Sequence, residues 1–131
     1  MIEKIDHIGI AVNNAEKSAE KFKNLFKTGK PKSETVESQK VKITRISIGE
    51  VDIEFLEPIS DDSPISKFIN KKGQGVHHIA LKVKNIDETE KNLKDSGIKL
   101  VFEKYQLGGD KKKINFIHPR GMNGLLIEIC E

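Results

Sequence analysis

Two histidines and two glutamates recur at matching places along this chain. His7 stands in DHIGIAV and His78 in HHIALKV, while Glu54 stands in VDIEFLE and Glu128 in LLIEICE. From His7 to Glu54 is 47 residues, and from His78 to Glu128 is 50. Two neutral imidazoles and two carboxylates form a donor set whose charge one divalent cation balances. Mixed nitrogen and oxygen donors suit Co, Ni, Zn, Fe or Mn and are poor for Ca or Mg. Octahedral coordination by these four would leave two positions for water or substrate. Taken singly, a strand histidine is more often a hydrogen-bonded structural residue, and a strand glutamate more often faces solvent or pairs with a lysine. Recurrence singles this set out. Glu54 lies between Ile53 and Phe55, and Glu128 between Ile127 and Ile129, positions where a lone charge would be costly to bury.

The elements that must position these residues repeat as well. Residues 6–29 and 77–97 each read as a strand, an Asn-containing turn and an amphipathic helix that ends before glycine. In the first strand, Ile5, His7, Gly9 and Ala11 share one face, with Ile8, Ile10 and Val12 on the other. His78 and Ala80 likewise share a face opposite Ile79, Leu81 and Val83. The bulky faces are expected to pack on helices, and the small residues leave space above the imidazoles for a ligand. His77 points to the other face and reads as structural. The first helix is expected to start at Asn13-Asn14, to turn Ala15, Ala19, Phe22 and Phe26 inward, and to stop at Gly29. The second is expected to start at Asn85 or Asp87, to bury Ile86 and Leu93, and to stop at Gly97. Further strands are read at about 40–48, 51–57, 99–104, 112–118 and 124–130. Ser63-Pro64 opens a short connecting helix that Gly73 ends. The spacing therefore predicts an α+β fold of two tandem βαβββ modules, with curved mixed sheets and the helices outside. It forms a single domain over 1–131: module one 1–58, the connecting helix 59–73, and module two 74–131.

Composition narrows the function. At 131 residues, 36% hydrophobic and 33% charged, the chain fits one ordinary globular core. It has no apolar run long enough to span a bilayer, and its N-terminus lacks the order of a secretory signal. The single cysteine, Cys130, rules out an intrachain disulfide framework and suits a reducing, cytoplasmic setting. Cys130 falls on the Glu128 face, where a small packed residue is expected. The net charge of +3 comes from 23 basic and 20 acidic residues, without the basic stripe and interleaved aromatics of a nucleic-acid binder. No Gly-rich phosphate loop is present. A small polyanionic ligand remains compatible with the chain.

DHIGIAV, IEFLEP, SPISKF, GVHHIAL and FIHPRGMNGLLIEI resemble, in order and spacing, the methylmalonyl-CoA epimerases of the glyoxalase/vicinal-oxygen-chelate superfamily. The resemblance covers nearly the whole chain. It implies one divalent transition metal per chain on His7, Glu54, His78 and Glu128, with Co2+ favoured and Ni2+, Zn2+ or Mn2+ as alternatives. It also implies a homodimer, an acyl-CoA substrate, and interconversion of R and S methylmalonyl-CoA. Removing the hydrogen between a thioester and a carboxylate builds charge on the thioester oxygen, where a Lewis acid is effective. A carboxylate can then serve as the base. Some of these epimerases carry a further, non-ligand glutamate on the strand that here reads VKITRIS, where this chain has Lys42, Thr44 and Arg45. The catalytic carboxylates are therefore expected to be Glu128 first and Glu54 second, with Glu50 reaching in from a turn as the other alternative.

In LGGDKKKINFIHP, Lys111 and Lys113 are the expected partners of coenzyme A phosphates, and His118 of the substrate carboxylate. A lysine run equally suits a solvated face, and His-Pro a turn. Lactoylglutathione lyase is the near alternative, because it uses the same fold and metal set. It usually has an Asp-Pro-Asp-Gly type turn where this chain has His118-Pro119-Arg120-Gly121. An extradiol dioxygenase fits less well, wanting two His and one Glu. A non-catalytic binding module on this scaffold would generally lack the paired His and Glu.

Overall fold

The computed structural model describes residues 2–131. Eleven labelled elements run in the order β1 Ile2–Ala11, α1 Ala15–Phe26, β2 Lys32–Val36, β3 Val41–Ile48, β4 Val51–Pro58, α2 Pro64–Lys72, β5 Gly75–Val83, α3 Ile86–Asp95, β6 Gln106–Leu107, β7 Lys113–Ile117 and β8 Ile127–Cys130. The chain falls into two compact units, one of residues 7–77 and one of 78–131 together with the N-terminal residues up to Asp6. The fold class is mixed α+β.

In the unit of residues 7–77 the strands run in the order β2-β3-β4-β1. The pairs β2/β3 and β3/β4 are antiparallel and β4/β1 is parallel, with Gly9 opposite Glu54. The alternating faces of β1 divide as the pattern requires. Val12, with Ile10, packs against Ala15, Ala19 and Phe22 of α1 and against Ile46, Ile53 and Phe55. Ala11, on the histidine face, packs with Val41, Ile43, Leu56 and Ile65, joined by Phe68 and Ile69 of α2. In the other unit the order is β5-β8-β7-β6, with β5/β8 parallel and Ala80 opposite Glu128. Here Ile86 and Leu93 of α3 pack on Val83, Ile117, Ile127 and Ile129.

The helices α1 and α3 are tied down by the same device. Asn14 and Asn85 cap them, their side-chain oxygens accepting from the N–H groups of Lys17 and Glu88 at 2.9 Å each. In each unit the glutamate three residues after the strand Glu reaches the first helical N–H. Glu57 accepts from Ala15 at 2.9 Å, and Glu131 accepts from Ile86 at 2.6 Å. The duplication seen in the residues therefore extends to how α1 and α3 are anchored.

The Glu131 carboxyl is held below the usual value of 4.5, first by the Ile86 N–H and then by the Lys113 amine. The unfolded chain binds that proton more readily, so the contribution is full above the unfolded value and is lost as pH falls through the depressed folded one. Urea midpoints followed from about pH 5 to pH 3 are expected to drop more steeply for the native protein than for Glu131→Gln. Equal slopes would contradict this.

The structure corrects the sequence reading at four places. The first helix stops at Phe26 with Lys27 in the left-handed conformation (φ 56°), ahead of Gly29. Phe26 is 65% exposed, its ring tilted against that of Phe22 with centroids 4.7 Å apart. A strand at Lys32–Val36 fills the place after the helix; KSETV is polar because it forms the outer strand of its unit. The segment 99–104 is not a strand. Buried Asn115 captures its backbone: the Phe102 N–H donates to Asn115 Oδ1, and the Asn115 amide donates to Phe102 O and to Glu90 of α3. A side chain thus takes the place of a neighbouring strand, leaving one isolated bridge, Leu100 to Ile117, and moving the ladder to Gln106–Leu107. The connecting helix is as expected, with Ser63 as cap, Pro64 at its first position and Gly73 at its end.

Candidate metal-ligating pairs

Each unit holds one buried histidine–glutamate pair, built in the same way. In parallel pairing, registered residues share a face, so Gly9 sits beside Glu54 and Ala80 beside Glu128. The histidine two residues earlier lies on that same face. With only hydrogen or methyl beside the glutamate, the imidazole can lean across. His7 Nε2 lies 3.5 Å from Glu54 Oε1, and His78 Nε2 lies 3.1 Å from Glu128 Oε2. All four residues are 4–5% exposed.

These distances test the fit to a metal. Ligand atoms on adjacent corners around a cation with bonds of about 2.1 Å stand about 3.0 Å apart in an octahedron and about 3.4 Å in a tetrahedron. Each pair is spaced as two neighbouring ligands of one ion, with the imidazole nitrogen and not a ring carbon facing the carboxylate. A buried carboxylate is costly without a partner. The donors present therefore fit a divalent transition metal.

The surroundings of the two glutamates differ. Arg45 is the registered neighbour of Glu54 across β3/β4. Its Nε lies 3.5 Å from Glu54 Oε2, and its Nη1 donates to Glu34 at 2.7 Å. Glu54 thus turns one oxygen to an imidazole and the other to a guanidinium. Opposite Glu128, across β7/β8, stands Phe116. The Phe116 and His78 rings meet edge to face at 5.6 Å and 90°, an arrangement that fixes the imidazole plane. Ala80, Ile114 and Cys130 complete that apolar wall, with Phe116 packed against it.

The Arg45–Glu54 contact was legible but not foreseen. Gly49-Glu50 (Gly49 φ 62°) is a two-residue turn with glycine first, the type that sets hairpin register. Counting back from Ile48 opposite Val51 places Arg45 on Glu54. The same register puts Glu50 at the hairpin tip, four residues and about 13 Å along the strand from Glu54.

The structure gives the remaining singled-out residues other local settings. His77 rests its ring edge on Phe68 of α2 at 5.0 Å, a packing role. Lys111 is exposed in a short turn and has positive φ. Lys113 bonds Glu131 at 3.2 Å and lies over the Tyr105 ring. Between them in sequence, Lys112 bonds buried Asp6 at 2.9 Å. His118 accepts at Nδ1 from the Arg120 N–H at 3.2 Å, closing the turn. No helix among the described residues is long and apolar enough to cross a membrane.

Comparison with known proteins gives a consistent picture. The family signature of the glyoxalase/bleomycin resistance protein/dioxygenase superfamily matches residues 6–116. An uncharacterized protein of Bacillus subtilis, YqjC, is 39% identical over 99% of this chain and 93% of its own length. The mitochondrial methylmalonyl-CoA epimerase of Dictyostelium discoideum is 35% identical over 99% of this chain and 79% of its own. Among solved structures, a variant of Streptomyces coelicolor methylmalonyl-CoA epimerase in complex with 2-nitronate-propionyl-CoA superposes with a TM-score of 0.95 at 29% identity, covering 99% of this chain and 97% of that one.

Proposed function

The chain belongs to the glyoxalase/bleomycin resistance protein/dioxygenase superfamily and, within it, to the methylmalonyl-CoA epimerases, and from that membership we propose that it interconverts R and S methylmalonyl-CoA by proton abstraction alpha to the thioester through an enolate. The observation that carries this reading is the duplicated, buried histidine–glutamate pair at ligand spacing. The likeness to an epimerase solved with an acyl-CoA analogue supports the substrate class.

We assign one divalent cation per chain to His7, Glu54, His78 and Glu128, with Co2+ favoured and Ni2+, Zn2+ or Mn2+ as alternatives. Such an ion, when bound, supplies Lewis-acid stabilisation of charge on the thioester oxygen. The protein's own residues divide the remaining work. Arg45 holds one oxygen of Glu54, which fixes where that carboxylate stands. Glu128 has an aromatic ring as its cross-strand neighbour instead, and it is the residue we assign to remove and return the alpha proton. His78, set by Phe116, keeps its Nε2 toward Glu128 and fixes where that carboxylate stands. Lys111, Lys113 and His118 are assigned to the anionic groups of the acyl-CoA. Residues 1–131 are read as one functional domain. A cytoplasmic homodimer is consistent with the buried lone Cys130 and with exposed Ile2 and Ile5 on β1.

Incubation with methylmalonyl-CoA in deuterium oxide tests the assignment. Deuterium is expected at the alpha carbon together with conversion of R to S. Isomerisation of the methylglyoxal–glutathione hemithioacetal without such exchange would show a lactoylglutathione lyase instead. Binding of ligand with neither reaction would show a non-catalytic module.

A further inference from the structure

A cavity of about 320 Å3 lies in the unit of residues 78–131, lined by Gly97, Ile98, Lys99, His118, Arg120 and Gly121. Its walls are tied together by a backbone bond from His118 N to Lys99 O at 3.0 Å and by the Leu100–Ile117 bridge. Gly97 takes positive φ (79°) to turn the chain out of α3, and Gly121 closes on Ile98, whose terminal methyl a Cβ there would meet at 3.7 Å. The volume is at the lower end of the range for small-ligand sites, about 300–1,000 Å3.

The lining is chemically one-sided. It carries two cationic side chains and an imidazole and no carboxylate. Because His118 Nδ1 accepts from the Arg120 N–H, the neutral ring carries its proton on Nε2 and presents a donor there. Among the described residues no carboxylate forms an ion pair with Lys99 or Arg120, whereas Lys112 and Lys113 of the nearby basic run are engaged by Asp6 and Glu131. Three donor groups around a cavity without a counter-charge call for an anion, and a guanidinium beside an ammonium favours a tetrahedral oxyanion.

We propose that the Lys99–His118–Arg120 cavity is a binding site for a phosphate group, either the phosphate of a coenzyme A tail or free phosphate. The site shares His118 with the acyl-CoA assignment, and its coenzyme A source rests on that reading; the binding of inorganic phosphate does not. Inorganic phosphate titrated into the full chain is expected to shift the His118 ring resonances saturably. In the double variant Lys99→Ala/Arg120→Ala the apparent Kd is expected to rise at least tenfold. Lys99 and Arg120 are exposed, so the variant is expected to melt like the native protein. Arg120→Lys, which keeps the charge, is expected to retain most of the affinity. Coenzyme A and dephospho-coenzyme A then separate the sources. A tenfold preference for coenzyme A that vanishes in the double variant assigns the site to the substrate's 3′-phosphate. Equal affinity for the two, with inorganic phosphate still saturating, assigns it to free phosphate. No saturable shift in the native protein, or an unchanged Kd in the double variant, would overturn the proposal, whatever the protein does to methylmalonyl-CoA.

Discussion

Replacing His78 by alanine is expected to strip the bound metal and to lower kcat/KM about 10³-fold, the scale of a Lewis acid contributing several kcal/mol. His78 Nε2 stands 3.1 Å from Glu128 Oε2, so its loss removes both a nitrogen donor and the group that fixes the carboxylate. The fold should survive. The core that seats α3 is built from Val83, Ile86, Leu100, Ile117 and Ile129, which does not include His78, and truncating one buried side chain costs about 2–5 kcal/mol. Elemental analysis of the purified variant, with a urea melt alongside, separates metal loss from unfolding. His7→Ala is expected to behave alike, because His7 faces Glu54 as His78 faces Glu128. A folded His78→Ala protein that keeps stoichiometric metal would remove this residue from the ligand set.

Glu128→Gln and Glu54→Gln are expected to diverge although the residues occupy matching positions. Glutamine keeps the size and an oxygen donor but cannot accept the alpha proton. At Glu128 the substitution is expected to lower the rate of alpha-hydrogen exchange about 10²–10⁴-fold, the usual contribution of a positioned base, with metal retained. At Glu54, which Arg45 already holds by one oxygen, exchange is expected to fall only about tenfold, the low end for a change around a metal, because the proposed ligand and not the proposed base has been changed. Single-turnover exchange of the alpha hydrogen, followed by mass spectrometry, measures both. The opposite ordering would transfer the base to Glu54.

Much of this was readable in the residues, for a physical reason. A duplicated module writes each requirement twice: an imidazole, a small residue opposite the carboxylate, an asparagine cap. A feature that recurs on matching strand faces is not accidental. The caps Asn14 and Asn85 and the Ser63-Pro64 to Gly73 helix follow from local rules and were found where expected. Hidden features depended on side chains acting at a distance. The KLVFEK stretch carries a strand-like apolar run, Leu100-Val101-Phe102, yet Asn115 takes the Phe102 backbone groups and bends it. KSETV gave no apolar period because β2 has a single buried residue, Val36. Phe26 looks like a core position on a helical wheel, but Lys27 ends α1 before its ring finds a wall. The setting of Glu54 follows from the β3–β4 hairpin register, which Gly49 fixes and composition does not express.

Two histidine–glutamate pairs allow two arrangements: an ion on each, or one ion shared by both. Metal content per chain, combined with X-ray absorption at the metal edge, distinguishes them. One transition-metal ion per chain, with two imidazoles in its coordination sphere, is the expected result. Two ions per chain with one imidazole each, or a native protein that binds no metal at all, would contradict it.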